Sequence, residues 1–410
     1  MAGQKSFLKI FAVCAALATV AALVCAAQEK VRPAANPRPE NLHLAQMRRR
    51  ILKARPLAMY YLMSDTRGME SLAEHASQIT VVAPQSYWVE KDGVATGDLP
   101  SPLKEVAART RLPVMPLIFN RGFDRGTVTA LLHDPEAQRR AVAYMAYHAW
   151  RENLVGFQID IENIDPADRQ LFTAFVRAAA DRLHQEGRLL SVALVPKFSD
   201  QFPRPDLPDH PTMGEWAAAY DYRALGKIAD FVTLMTYDHF NRSTPAGPIA
   251  GYGWVKKALA YAEERIPPQK LLLGIPLYGR EWTEAGDSIS SRSLTAEMVH
   301  ELRRRWRTRT QWDEQWRSPW FQVKRGRTTH TVWFENAESW SQKLNLVRDD
   351  RLRGFAAWRL GFEGPEFWSL EAIETHRTVR GGSRSSSSVL PADGVMARQE
   401  SKGGSASASQ

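Results

Sequence analysis

The chain has 410 residues, of which 44% are hydrophobic, and it carries a formal net charge of +9. A chain of this length can bury a large core, so one or two domains are expected. The positive charge favours anionic surfaces such as a cell wall or lipid headgroups, whereas a nucleic-acid partner is not expected, because no recognisable binding motif is present.

Residues 1–27 are predicted to be a signal peptide. Lys5 and Lys9 form its positive end, an apolar run follows, and Cys25-Ala-Ala27 offers small residues for cleavage. An uncleaved anchor is the alternative, because Ile10–Ala27 is an uncharged run of eighteen residues and a spanning helix needs roughly 17–25. Both cysteines lie in this segment, so cleavage would leave no thiol for disulfides or catalysis. Export is therefore expected, to the periplasm or outside the cell.

Residues 28–50 are predicted to be a linker, since the chain is rich in proline and charge as far as about Asn41. Arg48–Arg50 is interpreted as a solvated cluster at the start of the folded part. Over 51–378, strand-like runs alternate with helical ones such as Asp134–Arg151 and Tyr252–Glu264. Eight strands are predicted: Leu57–Met63, Ile79–Pro84, Val114–Asn120, Val155–Glu162, Leu189–Pro196, Phe231–Tyr237, Lys270–Leu277 and Gly354–Leu360.

Eight strands that alternate with helices predict a (β/α)8 TIM barrel, an α/β fold that typically needs about 250 residues plus insertions. A doubly wound open sheet is the alternative, but no glycine-rich phosphate loop follows the first strand. Residues 282–335, between the seventh and eighth strands, exceed one barrel helix and are predicted to form a small α+β insertion. Its helix is placed at Ser293–Arg305, with a basic run that we interpret as a solvated face. Residues 379–410 turn to Gly, Ser and scattered charge, which is typical of a disordered tail.

The fourth predicted strand ends in two carboxylates. Side chains alternate across a strand, so Gln158, Asp160 and Glu162 share one face, opposite the apolar residues Phe157, Ile159 and Ile161. Asp165-Pro166 then begins a helix that stops at Gly187. Solvated charges at a strand end are the plainer interpretation. The other is a catalytic pair, because active-site groups lie at the carboxyl ends of barrel strands.

Three further strand ends carry related motifs. They are Leu234-Met-Thr-Tyr-Asp238, Gly274-Ile-Pro-Leu-Tyr-Gly279 and Phe355-Ala-Ala-Trp-Arg-Leu-Gly361. Together with Gly156-Phe-Gln-Ile-Asp-Ile-Glu162, the chain resembles glycoside hydrolase family 18, the chitinase-like hydrolases. Within that family it looks most like the bacterial spore-cortex and peptidoglycan N-acetylglucosaminidases.

The resemblance implies a role for each matching residue. Glu162 would be the general acid, and the substrate's own acetamido oxygen would attack the sugar in a retaining mechanism. Asp160 would hold the acetamido N–H, and the Tyr237 hydroxyl would bind the acetamido oxygen. Further residues are implied or expected to bind the substrate, the last five only from their position near strand ends: Met235, Asp238, Trp358, Tyr60, Asn120, Trp88, Trp216 and Trp282.

Two positions depart from the chitinase pattern. Acids would stand seven and four residues before the catalytic Glu, where this chain has Val155 and Gln158. We expect Gln158 to donate a hydrogen bond to Asp160, which would favour the charged carboxylate, and we count Gln158 among the substrate-binding residues.

The sequence thus predicts an exported, monomeric glycosidase that cleaves β-1,4 bonds at N-acetylglucosamine in peptidoglycan or a chitin-like glycan. A lectin-like barrel with little or no turnover, and a wall-bound structural module, are the alternatives. No cofactor or metal is expected, since the sequence has no His-Glu-x-x-His spacing. It also lacks the Gly-x-Ser-x-Gly elbow of serine hydrolases.

Overall fold

The computed structural model describes residues 42–200 and 211–370. The expected signal peptide, residues 28–41 of the expected linker and the expected tail lie outside the described residues. Within them the helices are α1 (Leu42–Lys53), α2 (Thr66–His75), α3 (Ser101–Thr110), α4 (Arg125–His133), α5 (Pro135–Arg151), α6 (Arg169–Gln185), α7 (Pro211–Ala218), α8 (Tyr222–Ile228), α9 (Tyr252–Glu263), α10 (Ala296–Trp306) and α11 (Ala337–Asp349). In this part of the chain, each helix is too short or too polar to cross a bilayer.

Eight parallel strands form the central sheet, and a ninth short strand pairs with its second strand. The eight are β1 (Leu57–Leu62), β2 (Val81–Val89), β4 (Leu117–Phe119), β5 (Gly156–Asp160), β6 (Leu189–Leu194), β7 (Phe231–Leu234), β8 (Leu271–Pro276) and β14 (Gly354–Trp358), and the short strand is β3 (Ala95–Gly97). Strand β1 pairs in parallel with both β14 and β2, so the sheet closes on itself. The predicted (β/α)8 barrel is confirmed.

The predicted insertion between the last two barrel strands is also confirmed. It contains α10 and a separate antiparallel sheet in the order β10-β9-β13-β12-β11. These strands are β9 (Gly279–Ala285), β10 (Ser288–Leu294), β11 (Gln311–Asp313), β12 (Ser318–Arg325) and β13 (Thr328–Trp333). Helix α10 buries Val299 and Leu302, while Arg304 and Arg305 in its last turn are exposed, in agreement with a solvated basic face.

The barrel strands have one apolar layer on their outer side and another inside the barrel. The outer layer packs outward-facing residues such as Phe157, Ile159 and Ile161 against the helices. The inner layer fills the barrel with side chains such as Met59, Leu117 and Phe231. A barrel interior packed in this way is a core rather than a pore. The polar side chains of Gln158, Ser191 and Thr233 are also buried inside the barrel.

Helix α1 closes the opposite end of the barrel. Its residues Leu44, Met47 and Ile51 are buried in the inner layer, and Arg50 donates to the carbonyls of Ile79 (2.8 Å) and Arg111 (3.0 Å). The folded part therefore includes Leu42–Lys53, whereas a linker was expected to extend to residue 50. The run of three arginines obscured the apolar spacing of three and four residues that marks this helix.

Candidate active site

The two predicted carboxylates lie at the carboxyl end of β5. Asp160 is the last residue of the strand and is paired in register with Phe119 of β4. Glu162 follows two residues later and therefore points to the same side. The apolar residues between and before them pack outward on the helices. The predicted assignment of faces along this strand is thus confirmed.

Burial sets the protonation of this pair. Asp160 is only 5% exposed, and among the described residues its Oδ1 atom has no hydrogen-bond partner. Burial raises the pKa of Asp160 to about 7. Burial, followed by repulsion from Asp160 and Asp238, raises the pKa of Glu162 well above its usual range. The raised pKa favours the protonated form of Glu162, which is the state that a general acid requires.

Asn120 holds the backbone of Glu162 on both sides. Its side-chain Oδ1 accepts from the Glu162 N–H at 2.9 Å, and its Nδ2 donates to the Glu162 carbonyl at 3.0 Å. The same Nδ2 contacts the carbonyl of Asp124 at 3.3 Å. Asn120 is fully buried, so the expectation that it binds the sugar is wrong. It lies at the end of β4 and acts as a positioning residue for Glu162.

We expect Asn120→Ala to lower kcat about tenfold to a hundredfold, because small displacements of a catalytic group cost this much. KM should change little, since Asn120 is not placed to touch substrate. Steady-state kinetics on a soluble glycan would measure both constants. Asn345→Ala, a partly buried asparagine of helix α11, is the matched control. A raised KM at unchanged kcat would contradict a positioning role.

Gln158 organises the barrel beneath the carboxylates. Its Oε1 accepts from the Tyr61 hydroxyl at 2.8 Å, and its Nε2 donates to Ser191 Oγ and Thr233 Oγ1, each at 3.0 Å. The amide is thus directed across the barrel rather than to Asp160, and the expected Gln158–Asp160 hydrogen bond is wrong. The side chain is fully buried, so it does not bind the sugar either. Consistent with this, the pKa of Asp160 is raised rather than lowered.

We expect Gln158→Leu to destabilise the protein by about 2–4 kcal/mol, because each buried group left without its partner costs about 1–3 kcal/mol. Activity should fall with it, since Tyr61 loses its acceptor beside the site. Urea denaturation and kinetics below the unfolding midpoint would separate the two effects. Gln342→Leu, on helix α11, is the control. Unchanged stability in Gln158→Leu would show that the hydrogen bonds of Gln158 do not stabilise the fold.

Three strand ends complete a pocket floor around the carboxylates. The Trp358 ring, partly exposed at the end of β14, lies 5.2 Å from that of Tyr61 and 6.3 Å from that of Tyr237. Tyr237 and Met235 are each 9% exposed. Burial, followed by interaction with Tyr61 and Asp160, raises the pKa of the Tyr237 hydroxyl well above its usual range, so this hydroxyl stays a hydrogen-bond donor. Tyr237, Met235 and Trp358 therefore lie where the sequence predicted them.

Tyr60 does not belong to the pocket. It is fully buried and stacks on Trp368, with ring centroids 5.1 Å apart, in the outer layer. Its neighbour Tyr61 faces the barrel interior instead. The register explains the difference, because Tyr60 is paired with Ala357 of β14 and the following residue, Trp358, lies beside Tyr61. The prediction at Tyr60 is wrong by one residue.

Asp238 lies at the mouth of the pocket on the way to the insertion. Its Oδ1 accepts from the Tyr278 hydroxyl at 2.5 Å and from Arg280 at 3.2 Å, and half of its side chain is exposed. Two partners orient this carboxylate while the rest of it remains accessible. The structure thus leaves Asp238 available to a polar ligand.

The predicted sugar-contacting tryptophans differ in their surroundings. Trp88 is partly exposed and lies 3.7 Å below the guanidinium of Arg121. Trp216 is partly buried beside the ring of Phe123, at 5.4 Å. Trp282 is fully buried, and its indole N–H donates to Thr244 at 3.0 Å, so it does not contact a sugar. Trp88 remains partly accessible near the end of β2, whereas Trp216 lies in helix α7 rather than at a strand end and is also partly accessible.

The residues present offer no built metal centre. Within 42–200 and 211–370, no three His, Cys, Asp or Glu side chains are grouped so that they could hold a metal ion. The chemical groups of this pocket are two carboxyl groups with raised pKa values, tyrosine hydroxyls and an aromatic floor. These groups suit acid-assisted cleavage of a bond in a flat, polar-edged substrate.

Comparison with known proteins agrees with this arrangement. The family model described as Glycosyl hydrolases family 18 matches residues 58–363. The putative sporulation-specific glycosylase YdhD of Bacillus subtilis (strain 168) is 28% identical over 338 residues, 79% of this chain and 76% of that protein. The cortical fragment-lytic enzyme of the same organism is 29% identical over 313 residues, 74% and 70% of the two chains.

Solved structures give the same result. The spore cortex-lytic enzyme SleL of Bacillus megaterium QM B1551 matches with a TM-score of 0.70 and 28% identity, over 78% of this chain and 73% of that one. A chitinase from Chromobacterium violaceum ATCC 12472 matches with a TM-score of 0.70 and 27% identity, over 78% and 99%. With the family model covering most of the barrel and insertion, this chain belongs to the glycosyl hydrolases family 18 and is a glycosidase.

Proposed function

We propose that this protein is exported and cleaves β-1,4 bonds at N-acetylglucosamine by a substrate-assisted, retaining mechanism. The observation that carries the proposal is the pair of carboxyl groups at the end of β5, of which Asp160 is buried and Glu162 is partly exposed. Glu162 is held by Asn120 through its backbone, and its pKa is raised well above the usual range, chiefly by burial. No second protein carboxylate is required as a nucleophile when the acetamido group of the substrate supplies one.

In the first step, Glu162 donates its proton to the leaving glycosidic oxygen. As the glycosidic bond breaks, the acetamido oxygen of the same sugar bonds to the anomeric carbon and an oxazolinium ion forms. Asp160 accepts the acetamido N–H and offsets the positive charge, while the Tyr237 hydroxyl donates to the acetamido oxygen. Water then attacks the anomeric carbon and gives a proton to the Glu162 carboxylate. The bond between the anomeric carbon and the acetamido oxygen breaks, which restores the acetamido group and gives net retention of configuration.

The sugar is proposed to rest on Trp358, whose partly exposed ring lies beside Tyr61 and Tyr237. Aromatic faces bind the apolar side of sugar rings. Asp238, oriented by Tyr278 and Arg280, would accept from a sugar hydroxyl. The relatives include enzymes named for lysis of the spore cortex and one named a chitinase, so peptidoglycan and chitin-like oligomers are the two substrates to compare.

Digestion of purified peptidoglycan and, separately, of chitin oligomers tests the proposal, with products identified by mass spectrometry. Glu162→Gln is run in parallel. We expect muropeptides with a new N-acetylglucosamine reducing end, absent with the variant. Cleavage of the chitin oligomers but not of peptidoglycan would show that the substrate is of the chitin type. If the protein binds both polymers but cleaves neither, the proposal of an enzyme would be wrong and a carbohydrate-binding role would be supported instead.

Export is tested by fractionation. We propose that residues 1–27 direct the chain out of the cytoplasm, on the sequence pattern alone. N-terminal sequencing of the protein recovered from the exported fraction would give the cleavage site. Recovery only in the cytoplasm would contradict this part of the proposal without affecting the chemistry.

A further inference from the structure

Helix α1 has two different sides. One side, Leu44, Met47 and Ile51, plugs the base of the barrel. At 100° per residue, Leu42, Arg49 and Lys53 lie on the opposite side, with Leu52 at its edge. Leu42 is 76% exposed and Leu52 is 37% exposed. A helix that already buries one apolar stripe in the core has no need of a second set of leucines toward solvent.

The same region has an unbalanced charge. Residues 42–56 carry five Lys or Arg side chains (Arg48, Arg49, Arg50, Lys53 and Arg55) and no Asp or Glu. Exposed Arg111 adjoins them, because its carbonyl accepts from Arg50. We define the basal face as Leu42, Arg49, Leu52, Lys53, Arg55 and Arg111, all of which are exposed. Cations interspersed with leucines on one helix face are typical of helices that lie on an anionic lipid surface.

The position of the basal face in the fold supports this partner. The face lies at the amino ends of the barrel strands, whereas Asp160 and Glu162 lie at their carboxyl ends. Docking at the base would therefore leave the catalytic pocket open on the far side. The chain preceding α1 connects this face to the apolar run Ile10–Ala27 through residues 28–41. Fourteen residues span at most about 50 Å, so an uncleaved run in a bilayer would hold the face close to it.

We propose that the basal face docks on the surface of an anionic lipid bilayer, with Arg49, Lys53, Arg55 and Arg111 over the headgroups and Leu42 and Leu52 in the interface. The catalytic pocket then faces away from the bilayer. This surface is independent of the proposed hydrolytic reaction, since none of its residues belongs to the pocket. It acts whether residues 1–27 are retained as an anchor or removed.

The test measures the accessibility of the face on vesicles. Gln46→Cys, exposed on the outward side of α1, is placed in the full chain with Cys14 and Cys25 replaced by Ser. Its reaction with a water-soluble maleimide is followed on phosphatidylcholine vesicles with and without phosphatidylglycerol. We expect the anionic lipid to slow labelling about fivefold or more, and about 1 M salt to abolish the effect because screening is then almost complete.

Two controls isolate the face and its charge. Ser288→Cys, exposed in the insertion, should react at the same rate on both vesicles. Arg49→Glu/Lys53→Glu should remove the protection at Gln46→Cys, while Arg304→Glu/Arg305→Glu, which makes the same change in net charge on helix α10, should not. Circular dichroism melting and hydrolytic activity establish that each variant is folded.

Three results would overturn the proposal. One is equal labelling of Gln46→Cys on both kinds of vesicle. Another is protection that survives the Arg49→Glu/Lys53→Glu reversal. The third is protection that rises with protein concentration in the absence of vesicles, which would assign the face to a second copy of this chain.

Discussion

Replacing Glu162 by glutamine is expected to lower kcat about 10³-fold, within the usual range for loss of a general acid. The amide keeps the shape of the carboxyl group but has no proton to donate to the glycosidic oxygen. KM should stay within a few-fold of its original value, because the aromatic floor and Asp238 are untouched. Initial rates on a chitin oligomer or a soluble muropeptide, with substrate binding measured by calorimetry, would give both quantities.

A matched control is Glu301→Gln on helix α10, an exposed glutamate of the insertion. It makes the same chemical change outside the pocket and should leave kcat unaltered. Retention of more than a tenth of the activity in Glu162→Gln would remove Glu162 from the role of acid. A substrate with a leaving group that needs no proton should restore part of the rate, because protonation is then no longer required.

Asp160→Asn is expected to stabilise the folded protein at pH 8 by about 2–4 kcal/mol while it suppresses hydrolysis. Each unit of pKa difference between folded and unfolded protein corresponds to about 1.4 kcal/mol. The pKa of Asp160 is about 7 in the folded protein, against 3.8 for the ordinary side chain. Between these values the folded protein binds more protons than the unfolded chain, so stability falls as the pH rises through this window.

Asparagine carries no charge at any of these pH values, so the variant does not lose stability as the pH rises. The gain should therefore be present at pH 8 and absent at pH 4, where Asp160 is largely protonated in the folded protein. Urea denaturation at both pH values measures it as a shift of the midpoint. Asp98→Asn, at an exposed aspartate, should show no such pH-dependent gain. A variant less stable than the parent at pH 8 would mean that Asp160 is stabilised by a partner.

The predictions for Glu162→Gln and Asp160→Asn together describe an active site whose carboxyl groups lower the stability of the folded protein. Asp160 is buried, and its Oδ1 has no partner among the described residues, because the partner proposed for it is the acetamido group of the substrate. Buried carboxyl groups of this kind mark functional sites, where a charge is kept for the reaction rather than for the fold. Glu162, whose pKa is raised partly by Asp160 itself, depends on that same charge.

The amino-acid sequence alone was enough to predict the barrel, the insertion and the orientation of the β5 carboxylates. The β5 strand alternates polar and apolar residues up to Glu162, so its period of two reveals which side chains face the pocket. Trp358, Tyr237 and Asp238 could also be placed, because each ends a strand within a motif that resembles the family. These features depend on local order along the chain.

Only the tertiary structure showed that Tyr61, rather than Tyr60, faces the barrel interior. It also showed that Gln158 and Asn120 form hydrogen bonds to protein groups instead of contacting the sugar. Strand β1 is buried on both faces, so its apolar sequence contains no alternation from which a facing could be predicted. The partners of Gln158 come from β1, β6 and β7, which meet only when the barrel closes. The plug formed by α1 was missed for the same reason. Its apolar stripe is buried only because it packs against the base of the barrel, and that contact cannot be predicted from the local sequence pattern.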